Sequence, residues 1–240
     1  MNIINDLIQY WLDATWYIAL LLSILVNISI FMITASFLEK IIQVLIYDYN
    51  VGSYINNKPL KPNQKKHEIK NGIVACIIFA LGSLLIRLLY QEIWPTSFID
   101  LCIQVLVFTV YYESYSYLIH RILHSKYLIK FHAIHHRSLR VTSWTAYSVH
   151  PIEAAFIGLS VPLYMFFLPL NLGTSLVFHV FGMMFTIIIH SNYKVHSSNT
   201  LLRNISNYPL FHSKHHSSRN VNFGFIHGFW DKLFKTINRD

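Results

Sequence analysis

Residues 99–136 read IDLCIQVLVFTVYYESYSYLIHRILHSKYLIKFHAIHH. The stretch from Ile99 to Leu118 is apolar and about as long as a hydrocarbon core is thick, and it runs straight into His120. Two histidine groups follow, His120-Arg-Ile-Leu-His124 and His132-Ala-Ile-His135-His136. Positions three or four apart share a helix face, so the first group presents two imidazoles together and the second three. A membrane span that ends in clustered imidazoles sets the reading of the rest of the chain.

Working outward, the 240 residues are 54% hydrophobic and 12% charged, with mean hydropathy +0.41. A water-soluble domain carries about 25% charged residues, so the missing charge points to a lipid solvent. Upstream, Tyr17 to Phe37 and Ile73 to Tyr90 read as spans, with Trp16, Tyr17, Tyr47 and Tyr49 as interfacial aromatics. Between them lies a polar stretch with Lys58, Lys61, Lys65, Lys66 and Lys70, broken by Pro59 and Pro62. Trp94-Pro95 marks a turn. Downstream, the apolar run Ala154 to Ile189 is interrupted by Pro162, Pro169, Asn171 and Gly173, which predicts two short helices in a hairpin that enters the membrane and returns. Ile4, Leu7, Ile8, Trp11 and Leu12 make Met1 to Thr15 an amphipathic segment for the interface, without the features of a signal peptide. The expected fold is all-α, a multi-pass membrane helical bundle with a histidine-rich helical cap. Residues 1–98 supply the amphipathic helix and the first spans, and residues 99–240 the catalytic region. Cys76 and Cys102 fall in apolar runs and read as packing residues.

The formal net charge is +8. The basic residues flank the spans rather than line an aromatic groove, so no nucleic-acid partner is expected; anionic lipid headgroups suit them better. The lysine-rich stretch assigns its own side as cytoplasmic. From there the second span leaves, the third returns with His120, and the hairpin begins and ends on the same side. Every histidine cluster is thereby expected on the cytoplasmic face.

Thirteen of the fourteen histidines lie at or after residue 120, and a third group reads His212-Ser-Lys-His215-His216. The three groups together offer eight imidazoles, too many for one ion, so two metals sharing them is the natural arithmetic. Imidazole suits Fe, Zn, Cu and Ni alike. Left without metal, imidazoles so close would repel one another on protonation. His67 and His179 read as solvated or packed. Glu113 shares a helix face with Tyr117, His120 and His124, and Glu153 follows His150-Pro151; each is a candidate to accept the free N–H of a ligand imidazole.

The order HRILH, HAIHH, HP-x-E, HSN and H-x-x-HH resembles the fatty acid hydroxylase and sterol desaturase superfamily. Asn222-Phe223-Gly224 and Trp230-Asp231-Lys232-Leu233-Phe234 are similar to its ending. The resemblance covers about residues 100 to 236. It implies two Fe ions (or Zn, as isolated) on His120, His124, His132, His135, His136, His212, His215 and His216, with His190 of the HSN motif as a further family position and His196 as a tenth. His150 of the HP motif is expected to position a loop. The resemblance also implies O2 as co-substrate, a lipid substrate and a separate electron donor of cytochrome b5, ferredoxin or reductase type. The chain departs from the family pattern at Ser213-Lys214, Tyr208-Pro209 and Lys235, none of which removes a ligand. Two competing readings are a zinc-dependent membrane hydrolase, with Glu113 or Glu153 as base, and a membrane metal transporter, for which intramembrane polar relays are expected.

Overall fold

The computed structural model describes residues 3–196, 198–226 and 228–238, and inside the helix 200–218 it leaves aside the side chains of residues 201–203, 205 and 206. Helix α1, Ile3–Asp13, is the expected amphipathic segment, with Ile8 and Leu12 buried and Ile4 and Leu7 exposed; Met1 and Asn2 lie outside the described residues. Trp11 Nε1–H donates to Ala19 O (3.1 Å) and Ser23 Oγ (3.0 Å), which folds α1 back onto the next helix. That helix, α2, runs Trp16–Tyr47, and its 32 residues outreach the expected span.

Helix α3 spans Gln64–Leu89, starting well before the expected Ile73. Asn63, at φ 59°, turns the chain into the helix just after Pro62. Lys65, Lys66, His67 and Lys70 therefore ride on α3 and not in a loop. The proline signal was read too broadly, because a proline ahead of a first turn leaves the helix behind it intact. Helix α4, Phe98–Leu123, opens with Ser97 Oγ accepting the Asp100 N–H (3.1 Å).

Helix α5 is the single turn Ile129–His132, and His135–Arg137 is a separate 3-10 turn. The HAIHH group is thus not one continuous helix. Helices α6 (Pro151–Gly158) and α7 (Ser160–Phe167) form the first limb of the hairpin and α8 (Leu172–Ile189) the second. Pro162 breaks nothing, since it sits in the first turn of α7, where no N–H is needed. Gly173 is no breaker either: a Cβ there would lie 2.1 Å from the Trp94 ring, so a glycine is required for α8 to pass that side chain. Helices α9 (Thr200–Ser218) and α10 (Phe229–Leu233) complete the order. One antiparallel pair, β1 (Ser53–Tyr54) with β2 (Tyr193–Lys194), ties the α2–α3 connection to the segment after α8.

The chain is a mostly helical membrane protein. Among the described residues α2, α3 and α8 are long and apolar enough to cross a bilayer. Helix α4 equals α3 in length at 26 residues, but Tyr111 to Tyr117 are polar and aromatic, and it is not one of these three. Phe31, Phe79 and Tyr147 pack edge to face at the centre of the bundle, Phe79 and Tyr147 with ring centroids 5.1 Å apart.

One end of the bundle collects the polar chemistry. Lys65 Nζ meets Glu39 Oε2 at 2.7 Å, and Glu68 on α3 accepts from Ser138 Oγ (2.7 Å), Thr142 Oγ1 (2.7 Å) and Thr145 Oγ1 (2.8 Å). Asn192, at φ 58°, accepts from the Asn56 N–H (2.8 Å) and donates to Asn56 O (2.9 Å). The lysine-bearing stretch and the histidine-bearing segments therefore share one end of the bundle.

Candidate metal centre

Helix α4 delivers His120 on its last turn and His124 as its C-cap. The α5 turn and the 3-10 turn supply His132, His135 and His136; His190 is the C-cap of α8; and α9 carries His212, His215 and His216. These nine rings form two adjoining clusters. His120, His124, His132, His136 and His215 make one, and His135, His190, His212 and His216 the other, with the candidate ligand atoms of each within 4.8 Å of one another.

On α9 the division follows helical spacing, and in the 132–136 group the break between α5 and the 3-10 turn gives the same division. In each H-x-x-H-H group the outer pair stays together (His132 with His136, His212 with His216), while the middle histidine crosses to the opposite cluster. On a helix a residue at i+4 returns to the face of residue i, whereas i+3 falls short of it. Each group serves both clusters. The clusters adjoin, with ring centroids 4.9 Å apart for His136 and His216 and 5.6 Å for His212 and His215.

Four of the outer nitrogens are tied to acceptors, while Nδ1 of His135, His136 and His216 has none among the described residues. Nδ1–H of His120 donates to Phe223 O (3.0 Å), of His215 to Val221 O (2.7 Å), of His190 to Thr186 O (2.7 Å) and of His132 to Glu153 Oε1 (2.8 Å). Each bond commits the ring proton to Nδ1 and leaves Nε2 as a lone pair facing inward.

Lone pairs so placed could hold a cation. His136 Nε2 stands 3.1 Å from His132 Nε2, 3.0 Å from His215 Nε2 and 3.2 Å from His124 Nε2. A single N–H on His136 could serve only one of these three. In the other cluster His190 Nε2 is 2.7 Å from His212 Nε2 and 3.2 Å from His135 Nε2. Separations near 3 Å are the ligand edges expected around an ion with metal–nitrogen bonds of about 2.0–2.1 Å. The residues present therefore fit metal in both clusters. Burial, the largest influence, and then the neighbouring imidazoles hold His136 down at about 3 and push His135, His212, His215 and His216 well below the usual histidine range. Neutral imidazole is the ligating form.

Residues 105–236, more than half of the chain, match the family model described as fatty acid hydroxylase. The chain belongs to the fatty acid hydroxylase family. Among curated relatives of this hydroxylase-family chain, a Delta(7)-sterol 5(6)-desaturase of Eremothecium gossypii is 28% identical over 228 residues, 86% of this chain and 62% of that protein. One of the same name from Leptosphaeria maculans is 31% identical over 132 residues, 55% of this chain and 36% of that protein. The lathosterol oxidase of Mus musculus is 29% identical over 149 residues, 60% of this chain and 49% of that protein. The chain thus spans about one third to two thirds of the length of these relatives. No solved structure matches.

The hydroxylase-family chain departs from its sequence reading at His196 and Glu113. His196 joins neither cluster; it is exposed on the strand connection, with Nε2 3.0 Å from Ser53 Oγ, because the β1–β2 pair draws it toward the α2–α3 connection. Glu113 accepts the Ile226 N–H (2.8 Å) and so anchors the C-terminal segment. Glu153 takes the place foreseen for it against His132, and burial raises its carboxyl well above the usual range, with Oε2 lacking any partner. His150 caps α6, its Nδ1 accepting the Ile152 N–H (3.1 Å), and Pro151 follows at N1.

Asp231 carries a role the sequence did not announce. Fully buried, it accepts from Phe223 N–H (2.9 Å), Gly224 N–H (2.7 Å) and Thr236 Oγ1 (2.7 Å). It thereby holds the strip of backbone whose carbonyls steady His120 and His215. The Asn-Phe-Gly and Trp-Asp motifs marked the two segments, but not the bonds between them.

A pocket of about 110 Å³ lies against His120, His132, His135, His190 and His212. It shares Tyr112, Tyr147, Ile157, Ser160 and Phe225 with a deeper, mainly apolar cavity of about 340 Å³ between α3, α4, α7 and α8. The exposed Phe181 on α8 lines the cavity and places one of its walls at the bundle surface.

Proposed function

We propose that the chain is a membrane-bound di-iron enzyme that hydroxylates or desaturates a C–H bond of a lipid, of sterol or fatty acyl type. The single observation that carries this is the pair of adjoining all-imidazole clusters at the inner end of an apolar cavity. Five nitrogens in one cluster exceed the four that zinc ordinarily takes, and the family resemblance points to iron. With the ions bound, the site would supply reduction of O2 by two external electrons and removal of hydrogen from an unactivated C–H.

The protein's own groups do the rest. Four Nδ1–H bonds hold rings in the ligating tautomer, and Glu153 places an acceptor behind His132. Phe225, Tyr147 and Ile157 shape the passage between cavity and metal pocket, where they exclude water and orient an apolar chain or ring. The curated relatives are named as a Delta(7)-sterol 5(6)-desaturase and a lathosterol oxidase, which supports a sterol or sterol-like lipid. The lysine-bearing end of the bundle faces the cytoplasm by its charge, which gives a separate donor of cytochrome b5, ferredoxin or reductase type access to the site. A zinc hydrolase is less well supported, since Glu153 backs a cluster imidazole and Glu113 accepts a backbone N–H.

The test compares lipid extracts from cells producing the wild type or His135→Ala, with O2 uptake measured on the purified, iron-loaded proteins. An oxidised lipid species and O2 uptake that are present with the wild type and lost in the mutant are expected. Identical lipid profiles from well-loaded wild type and mutant would overturn the proposal.

A further inference from the structure

His179 lies within the membrane-spanning part of α8, eleven positions before His190, and belongs to neither histidine cluster. A half-buried imidazole at that depth, within an apolar helix, needs a partner. It has one on α2: His179 Nε2 and Asn27 Oδ1 are 2.6 Å apart.

The acceptors in this chain of contacts fix the proton. Asn27 Nδ2–H donates to Ser23 O (2.8 Å), and a carbonyl only accepts, so the amide oxygen must be the end that faces His179. The imidazole therefore donates through Nε2–H, and the neutral ring keeps Nδ1 as a bare acceptor. Among the described residues nothing donates to that nitrogen, and His179 lines the cavity.

The surroundings narrow what can fill the position. Phe79, Phe178 and Phe181 border the same space, and an apolar wall penalises a charged ammonium far more than a neutral hydroxyl. Eleven residues at 1.5 Å each put His179 about 16 Å from His190 along α8. Phe79 gives a matching depth, since it lies eleven positions beyond Glu68 on α3 and its ring contacts that of His179.

We propose that His179, oriented by Asn27, is the recognition site for a free hydroxyl on the lipid substrate, holding it in the cavity about 16 Å along α8 from His190. This rests on the lipid-oxidising reading of the site. It makes the substrate a lipid alcohol oxidised far from its hydroxyl. A sterol bound this way presents its side chain, not its first ring, to the metals.

The probes are hexadecan-1-ol, its methyl ether and hexadecane, compared at equal mole fraction in detergent micelles with the metal-loaded full chain. The melting shift of the protein is read as a function of probe concentration. In the wild type the alcohol is expected to be held about tenfold more tightly than the ether, the value of one hydrogen bond to a half-buried acceptor. In His179→Phe, which keeps an aromatic ring in the space, that ratio is expected to fall to about one. Equal binding of alcohol and ether to the wild type overturns the hydroxyl site while leaving the lipid cavity standing, and it does so even if the variant does not fold. An unchanged ratio in a folded His179→Phe overturns the assignment to this residue. Binding of none of the three probes removes the lipid-oxidising reading itself.

Discussion

Replacing Glu153 by leucine removes the acceptor from His132 Nδ1–H, a bond of 2.8 Å between two fully buried groups. Its effects on the metal-free and metal-loaded protein differ. The carboxyl is costly to bury, as its raised pKa and unpartnered Oε2 show, so a leucine of similar volume relieves the metal-free protein. Against that stands the orphaned His132 N–H, worth about 1–3 kcal/mol, and the two nearly cancel. With metal bound, only the loss remains. Removing the group that orients a ligand imidazole costs about 10–100-fold in metal affinity. The loss belongs to the five-histidine cluster, because His132 is a member of that one alone. Glu153→Gln keeps an oxygen but no charge and should fall between wild type and leucine. The assay is chelator competition with metal counted per chain, alongside melting of the metal-free protein. The reasoning is refuted if Glu153→Leu holds both ions against chelator as firmly as the wild type, or loses both together.

Asp231→Asn replaces one carboxylate oxygen by an N–H facing the N–H of Phe223 or Gly224, and should cost about 2–4 kcal/mol of stability in a denaturant series. Gly182→Phe should abolish lipid oxidation with metal content and melting unchanged, because Gly182 lines the cavity and a Cβ there meets no atom within 4 Å. The metal-free protein should weaken as pH falls. His136 is held at about 3 when folded and titrates near 6.5 when unfolded, so the unfolded chain takes the proton first. That cost is absent above about pH 6.5, reaches about 2 kcal/mol from this one residue at pH 5, and is complete near pH 3. Equilibrium unfolding across that range checks it, and bound metal should move the decline to lower pH.

The spans were legible because lipid imposes a length and a composition, and the histidine groups because imidazole at three- and four-residue spacing has few other uses. What the sequence hid was set by contacts distant in the chain. The start of α3 depends on buried Glu68 gathering hydroxyls from residues 138–145, which no local pattern announces. His132, His135 and His136 looked like one helical face, yet a turn between α5 and the 3-10 segment helps divide them between two clusters. His196 has the right residue type near the right place, and two strand residues carry it away. Glu113 and Glu153 were indistinguishable by spacing; only the folded chain shows one behind His132 and the other on the Ile226 backbone. Asp231 was visible as part of a motif, but its work on the backbone beside His120 is a tertiary fact.

The central claim is that nine histidines hold two ions, five rings on one and four on the other. Metal content of the purified wild type, set against His135→Ala and His132→Ala, tests it most directly. About two irons per chain are predicted for the wild type, with His135→Ala loosening only the four-histidine centre and His132→Ala only the five-histidine one. One ion or fewer in a catalytically active wild type would contradict the account.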